Sequence, residues 1–312
     1  MTLSNIDMSG WDFEGMNLGQ IVLWESTLTG SNFRESVLDS ASFSQARLSG
    51  ADLTGASISG CDFSNSTGTG LTFAQLASTA NYQAGDLAGI KFVRNDLSGW
   101  NLSNQNLSGA DIRYASLAGA DLNGANLTGA DFQITDFTDA TLSSALLVDA
   151  NLSSANLSNA DMTGADLTGA VLLVAGLTNT DMSGATGTGF TAAQLYSTAS
   201  YQAGHMANIN MTENNMVGWD LANQTLTGAI FSSTNLTDAD LSGADLSGAR
   251  LRYATLMNAD LGGAVILGAD LENITRNGFE ASQLYSTSSY QAGQLMGVAF
   301  SQNDMTGWDF QN

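Results

Sequence analysis

Residues 115–134 read Ala-Ser-Leu-Ala-Gly-Ala-Asp-Leu-Asn-Gly-Ala-Asn-Leu-Thr-Gly-Ala-Asp-Phe-Gln-Ile, four pentads in which a large apolar residue recurs every fifth position behind a small one. A period of five fits neither the strand period of 2 nor the helix period of 3.6. A chain that buries one large residue per pentad, with a small residue two positions before it, must turn a corner in each pentad. Gly, Asn and Asp tolerate corner conformations, and Ser and Thr bond to neighbouring backbone. The expected structure is a coil of short straight edges.

Writing the large residue as i, the same phase runs without a miss from Leu3 to Phe63, resumes from Leu87 to Met182 and from Met206 to Leu271, and ends with Leu295 to Phe310. These runs hold 51 pentads. The pentad Ala, Asp or Asn, Leu, Ser or Thr, Gly, as in Ala165-Asp166-Leu167-Thr168-Gly169, resembles the A(D/N)Lxx motif of the pentapeptide-repeat family. That resemblance implies an all-β solenoid, a right-handed quadrilateral parallel β-helix with four pentads per coil and with i and i−2 pointing inward. It leads us to expect one elongated β-helix over residues 1–312. Zero proline agrees, since each coil needs its amide donors.

The phase is broken three times by one device. Phe63 to Leu87, Met182 to Met206 and Leu271 to Leu295 are each 24 residues long, and their inserts read LTFAQLASTANYQAG, FTAAQLYSTASYQAG and FEASQLYSTSSYQAG. Helical inserts are expected at about 68–86, 187–205 and 276–294. A short helix should begin at Thr72 and at Thr191, with Gln75 completing a capping box and Leu71 stapling onto Leu76. Glu280 is the weaker cap of the third copy. Trp11, Trp100, Trp219 and Trp308 mark super-repeat units of 89, 119 and 89 residues. Beside Trp100 and Trp219, Asn95, Gln105, Asn214 and Gln224 also fill i−2 positions, where alanine is usual. An indole there implies a local widening, or a lid over the helix junction. Tyr82, Tyr201, Tyr290, Gln75, Gln194 and Gln283 recur in the inserts and join the tryptophans as structural repeat positions.

Thirty acidic and eight basic side chains give a net charge of −22, while the hydrophobic fraction of 43% argues against disorder. So acidic a chain is not expected to bind nucleic-acid phosphates or anionic lipid directly. No apolar run approaches a membrane span of roughly 18 residues, and the stretch MTLSNIDMSG has no signal-peptide pattern. The chain is therefore expected to be soluble, secreted or at the cell surface if it is a slice of a larger protein and cytoplasmic otherwise.

The reactive inventory is sparse. Cys61, the single cysteine, occupies an i−2 position as a small buried hydrophobe, and His205, the single histidine, reads as a surface polar residue. The carboxylates are placed by the repeat, mostly at i−1, which suits solubility better than hydrolysis or calcium binding. No catalytic, cofactor or metal site is expected. Leu146, Val148, Val171, Leu173 and Val174 are outward apolar residues and the candidate contact patch for another chain.

The reading that follows is a non-enzymatic structural or protein-interaction scaffold, either part of a longer array or a unit that stacks end to end. The C-terminal AFSQNDMTGWDFQN echoes the N-terminal TLSNIDMSGWDFEG, and Leu3 would fall five positions beyond Phe310 if the two ends were joined. The alternative comes from the resemblance: some family members are similar to duplex DNA in size and charge and bind a type II topoisomerase (gyrase) in its place.

Overall fold

The computed structural model describes residues 1–311. The chain divides into two compact units, Met1–Asn156 with Leu167–Val171, and Leu157–Asp166 with Leu172–Asn312. Each is a stack of coils of a right-handed quadrilateral β-helix.

The pentad Ala120–Gly124 explains why these residues make these coils, because all five of its amides have a partner. Ala120 N–H closes the corner turn onto the Leu117 carbonyl (3.0 Å), and Asp121 N–H bonds to Trp100 in the coil before (3.0 Å). Leu122 and Gly124 donate to Thr141 and Ser143 in the coil after (2.7 and 2.9 Å). The remaining amide, Asn123 N–H, is taken by the Asp121 side chain (3.0 Å). A proline at any of the five positions would delete one of these bonds. Gly124 is left-handed (φ 63°), as the third residue of such a turn must be.

Bridges join residues 20 apart, as in Asp111↔Asp131 of the first unit and Asp220↔Asp240↔Asp260 of the second, so four pentads make one coil. Each edge has only a single bridge residue, at i−1. The i side chains stack as interior columns. In the first unit Phe13 lies on Phe33 (ring centroids 4.9 Å), and Phe43, Phe63 and Phe92 follow one another at 5.1 and 6.0 Å. Most other columns are leucine, and alanine fills i−2. Where Ser, Thr or Cys replaces that alanine, its side chain donates to a backbone carbonyl, of the coil before for Ser31 (Met8), Thr135 (Ile112) and Cys61 (Leu38), and of its own coil for Ser36 (Phe33).

Each insert is accommodated in one lengthened coil. The bridge across it spans 29 residues in place of 20: Asp62↔Lys91 in the first unit, Asp181↔Asn210 and Asp270↔Ala299 in the second. The 24-residue insert therefore stands in for three edges, and the fourth is an ordinary pentad. A 3₁₀ turn (Thr67–Thr69, Ala185–Thr188, Thr275–Asn277) opens each copy. Two short helices follow where the sequence predicts one: α1 (Phe73–Ala77) and α2 (Ala80–Gln83), α3 (Ala192–Ser197) and α4 (Ala199–Gln202), α5 (Ala281–Ser286) and α6 (Ser288–Gln291). The second of each pair is capped by Thr79, Thr198 or Thr287, whose hydroxyl accepts from the amide of Tyr82, Tyr201 or Tyr290. In the second unit both inserts leave the coil after one i−1 column, Asp181, Asn210, Ile230, Arg250 and Asp270.

Candidate functional site: insert junctions and outer columns

Replacing three edges by helices removes the backbone partners that neighbouring coils need, and side chains at fixed places in the insert supply them. Ile58 N–H donates to Asn81 Oδ1 (2.6 Å), while Leu177 and Ile266 donate to the hydroxyls of Ser200 and Ser289 (2.8 and 2.9 Å). Gln75 accepts from the Thr72 amide and donates to the carbonyls of Leu48 and Ala51 (2.7 and 2.8 Å). Gln283 repeats this with Glu280, Leu256 and Ala259, and Gln194 accepts from the Thr191 amide (2.8 Å). Gln75 and Gln283 are both helix caps and substitutes for ladder bonds.

The residues after each insert close its other side. Asn95 donates to the Phe63 carbonyl and accepts from the Ser66 and Thr67 amides; Asn214 and Asn303 make the matching bonds to Met182 and Thr186, and to Leu271, Ile274 and Thr275. Gln105 and Gln224 donate to the carbonyls of Tyr82 and Tyr201. Trp100 lies against Phe73 (5.7 Å), Trp219 against Phe190 (5.8 Å) and Trp308 against Phe279 (5.7 Å). The hydroxyls of Tyr82, Tyr201 and Tyr290 donate to the carbonyl just after each of these tryptophans, at Asn101, Asp220 and Asp309. Burial raises the Tyr201 hydroxyl to about 12, aided by Asp220, so it stays a neutral donor at any physiological pH. Trp100 and Trp219 are 8% exposed beneath these helices, whereas Trp11 is 51% exposed, with Phe13 as its ring neighbour.

The outer columns are acidic, yet the carboxylates are engaged. Asp7 accepts from both the hydroxyl and the amide of Ser9, and Asp304 from those of Thr306. These bonds hold both carboxyls below the ordinary aspartate value. Asparagines interleaved in the columns bond to the acids one coil away, as Asn32 does to Asp12 and Asn106 to Asp86. Arg113 grips Asp111 through two bonds of 2.8 Å and reaches Asp131 at 3.6 Å, while Arg252 pairs with Asp270 and Glu272.

His205 is exposed, and burial pushes the Cys61 thiol well up. Among the described residues no group of three His, Cys, Asp or Glu side chains is placed to hold a metal ion. A groove of about 450 Å³ in the first unit is lined by Asn5, Glu25, Gln45, Arg47, Asn65 and Thr69, and the Thr69 hydroxyl donates to the Ala46 carbonyl. Of the outward apolar residues, Leu146 and Val171 are exposed in the first unit, where Val148 is half-buried; Leu173 and Val174 are exposed in the second. No helix among the described residues is long and apolar enough to cross a membrane.

The chain is similar in fold to the pentapeptide repeat protein HetL of the cyanobacterium Nostoc, involved in heterocyst differentiation regulation: 26% identity, TM-score 0.30, covering 85% of this chain and 87% of that one. A pentapeptide repeat protein from the Arabidopsis thaliana thylakoid lumen is 23% identical (TM-score 0.24; 48% and 70% covered). QnrB1, a plasmid-mediated fluoroquinolone resistance protein, is 16% identical (TM-score 0.21; 95% and 97%). No curated protein matches the chain in sequence. The model of the family described as pentapeptide repeats matches residues 6–76, 95–172 and 205–275 in overlapping segments, well over half of the sequence, and the chain belongs to that family.

Proposed function

We propose that this protein is a non-enzymatic interaction scaffold, an acidic β-solenoid that forms part of a longer array or stacks end to end. The observation that carries this reading is the commitment of its polar side chains to its own backbone. Asp and Asn at i−1 bond the pentad, Gln and Asn bond the inserts, and arginines pair with acid columns. Catalysis needs a nucleophile, base or metal constellation, and the single cysteine and single histidine are far from supplying one. The exposed Leu146 and Val171, with half-buried Val148, are the proposed contact residues of the first unit, and Leu173 and Val174 those of the second. Sedimentation velocity across a concentration series tests the scaffold, which should give species that grow with protein concentration; monomers throughout would remove end-to-end stacking.

A second reading is favoured by the net charge of −22 and by carboxylates repeated coil after coil in outer columns, as at Asp220, Asp240 and Asp260. Such columns could stand in for duplex phosphates and engage a type II topoisomerase. A supercoiling assay with purified gyrase decides it. Inhibition at micromolar protein supports mimicry, and none at tens of micromolar eliminates it.

A further inference from the structure

Asn5, Glu25, Gln45 and Asn65 stand at the same corner of four successive coils in the first unit, where the backbone amides of Asn5, Glu25 and Gln45 donate to the carbonyls of Trp24, Ser44 and Ser64. All four are left-handed (φ 57°, 54°, 58° and 56°), a conformation that glycine adopts freely, asparagine tolerates and longer side chains resist. The next corner of the same coils uses Gly10, Gly30 and Gly50. Nor does the first column turn to glycine further on, at Arg94, Tyr114 and Ile134. Side chains are kept at this corner against the preference of the backbone. Stacked corner side chains of the second unit bond one another, as Asn179 does to Asn159 and Asn258 to Asp238. Here they do not: among the described residues the side chains of Asn5, Glu25, Gln45 and Asn65, and of Arg47 beside them, make no hydrogen bond or ion pair. All five line the groove of about 450 Å³, together with Thr69, whose hydroxyl donates to Ala46 and keeps its lone pairs for an incoming donor. A second groove of about 480 Å³ shares Arg47 and Thr69 and is lined also by Thr29 and Ser49.

We propose that this groove binds a neutral linear polysaccharide, which lies along the corner column with one sugar to each coil. Carboxamides donate and accept at once, as the hydroxyl groups of a sugar do. Glu25 adds acceptors and Arg47 a fork of donors, neither paired with the other. An anion would meet Glu25 in a chain of net charge −22, and a cation would meet Arg47, whereas an uncharged polyol pairs with both. An apolar ligand would cover these groups and leave them unpaired. The spacing points the same way. Neighbouring coils lie about 4.8 Å apart, so the column offers one polar side chain per coil over about 14 Å. An extended β-linked hexose chain advances by close to that step per sugar. An extended peptide repeats its side chains on one face only every ~6.7 Å and falls out of step within two coils. The site does not depend on how copies of the protein associate, so its failure and that of the scaffold reading are separate results.

Isothermal titration calorimetry of the whole chain tests it, with cellohexaose, mannohexaose and chitohexaose as neutral probes and hexagalacturonate as the anionic one. Glu25→Gly and Gln45→Gly remove two groove side chains while giving each corner the residue its backbone favours, and circular dichroism checks that both are folded. Arg47→Ala, on an edge rather than a corner, replaces either that is not. Gln20→Gly makes the same change at a left-handed corner outside the groove. The expected result is that at least one neutral hexamer binds at millimolar concentration or below, that each groove variant weakens it about tenfold or more, and that Gln20→Gly leaves it unchanged. Absence of binding by all three neutral hexamers overturns the proposal, as does binding that the groove variants leave intact. Tighter binding of hexagalacturonate, abolished in Arg47→Ala, overturns the neutral class and gives the groove to an anionic chain.

Discussion

An aspartate or asparagine directly ahead of the buried leucine caps the one amide of the pentad that no other backbone group reaches. Asp121 does so for Asn123, Asp131 for Gln133 and Asp240 for Ser242. Asn accepts such a bond as well as Asp, so Asp121→Asn should leave thermal stability within about 0.5 kcal/mol, while Asp121→Ala should cost about 1 kcal/mol in urea melts. The same bonds set an acid dependence. Asp7 and Asp304 titrate lower in the fold than in the unfolded chain, whose aspartates sit near about 3.9. Their contribution is complete above that value and is lost as pH falls below it through the lower folded one, so melting temperature should drop as the solution is acidified below about pH 4. Corner residues store strain of another kind. Ile134 is β-branched yet left-handed (φ 58°), which costs about 1–2 kcal/mol. Ile134→Gly should therefore raise stability by up to about 1 kcal/mol after glycine's entropy is counted.

At the scale of the insert, the legible parts are those that local chemistry decides. The capping boxes at Thr72–Gln75 and Thr191–Gln194 and the returns at Gly85, Gly204 and Gly293, all left-handed, can be read from residue types alone. The second helix of each pair was equally signalled by Thr79, Thr198 and Thr287, a capping hydroxyl three residues ahead of each tyrosine. The roles of Asn81, Ser200 and Ser289 could not be read, because they depend on which edge of the preceding coil loses its carbonyl. Gly70 ends the first 3₁₀ turn at φ 112°, and a Cβ there would fall 2.6 Å from the Ser49 amide nitrogen. Gly70→Ala should thus destabilise by about 2 kcal/mol or more, measured by urea unfolding of the whole chain. Trp100→Ala removes the packing against Phe73 and should cost about 3–5 kcal/mol by the same measurement.

For the molecule as a whole, a net charge of −22 repels itself, with stacked acids such as Asp111 and Asp131 contributing. Melting temperature should rise with NaCl between about 0.01 and 0.3 M as the Debye length contracts, and a flat response would show that the interleaved asparagines and paired arginines already neutralise the columns. What the sequence by itself determined is local and periodic: a corner every five residues, the inward and outward positions, the helix caps, and a small reactive inventory. These follow from residue size and short-range hydrogen bonding. Tertiary structure alone decided what depends on groups about 20 to 32 residues apart: that a 24-residue insert stands in for three edges of one coil, that Gln75 and Asn95 replace missing ladder bonds, and that one coil face is rich in acceptors and the other in donors. A pentad states that the chain turns. Only the bonds between coils set which groups face one another when it has turned four times.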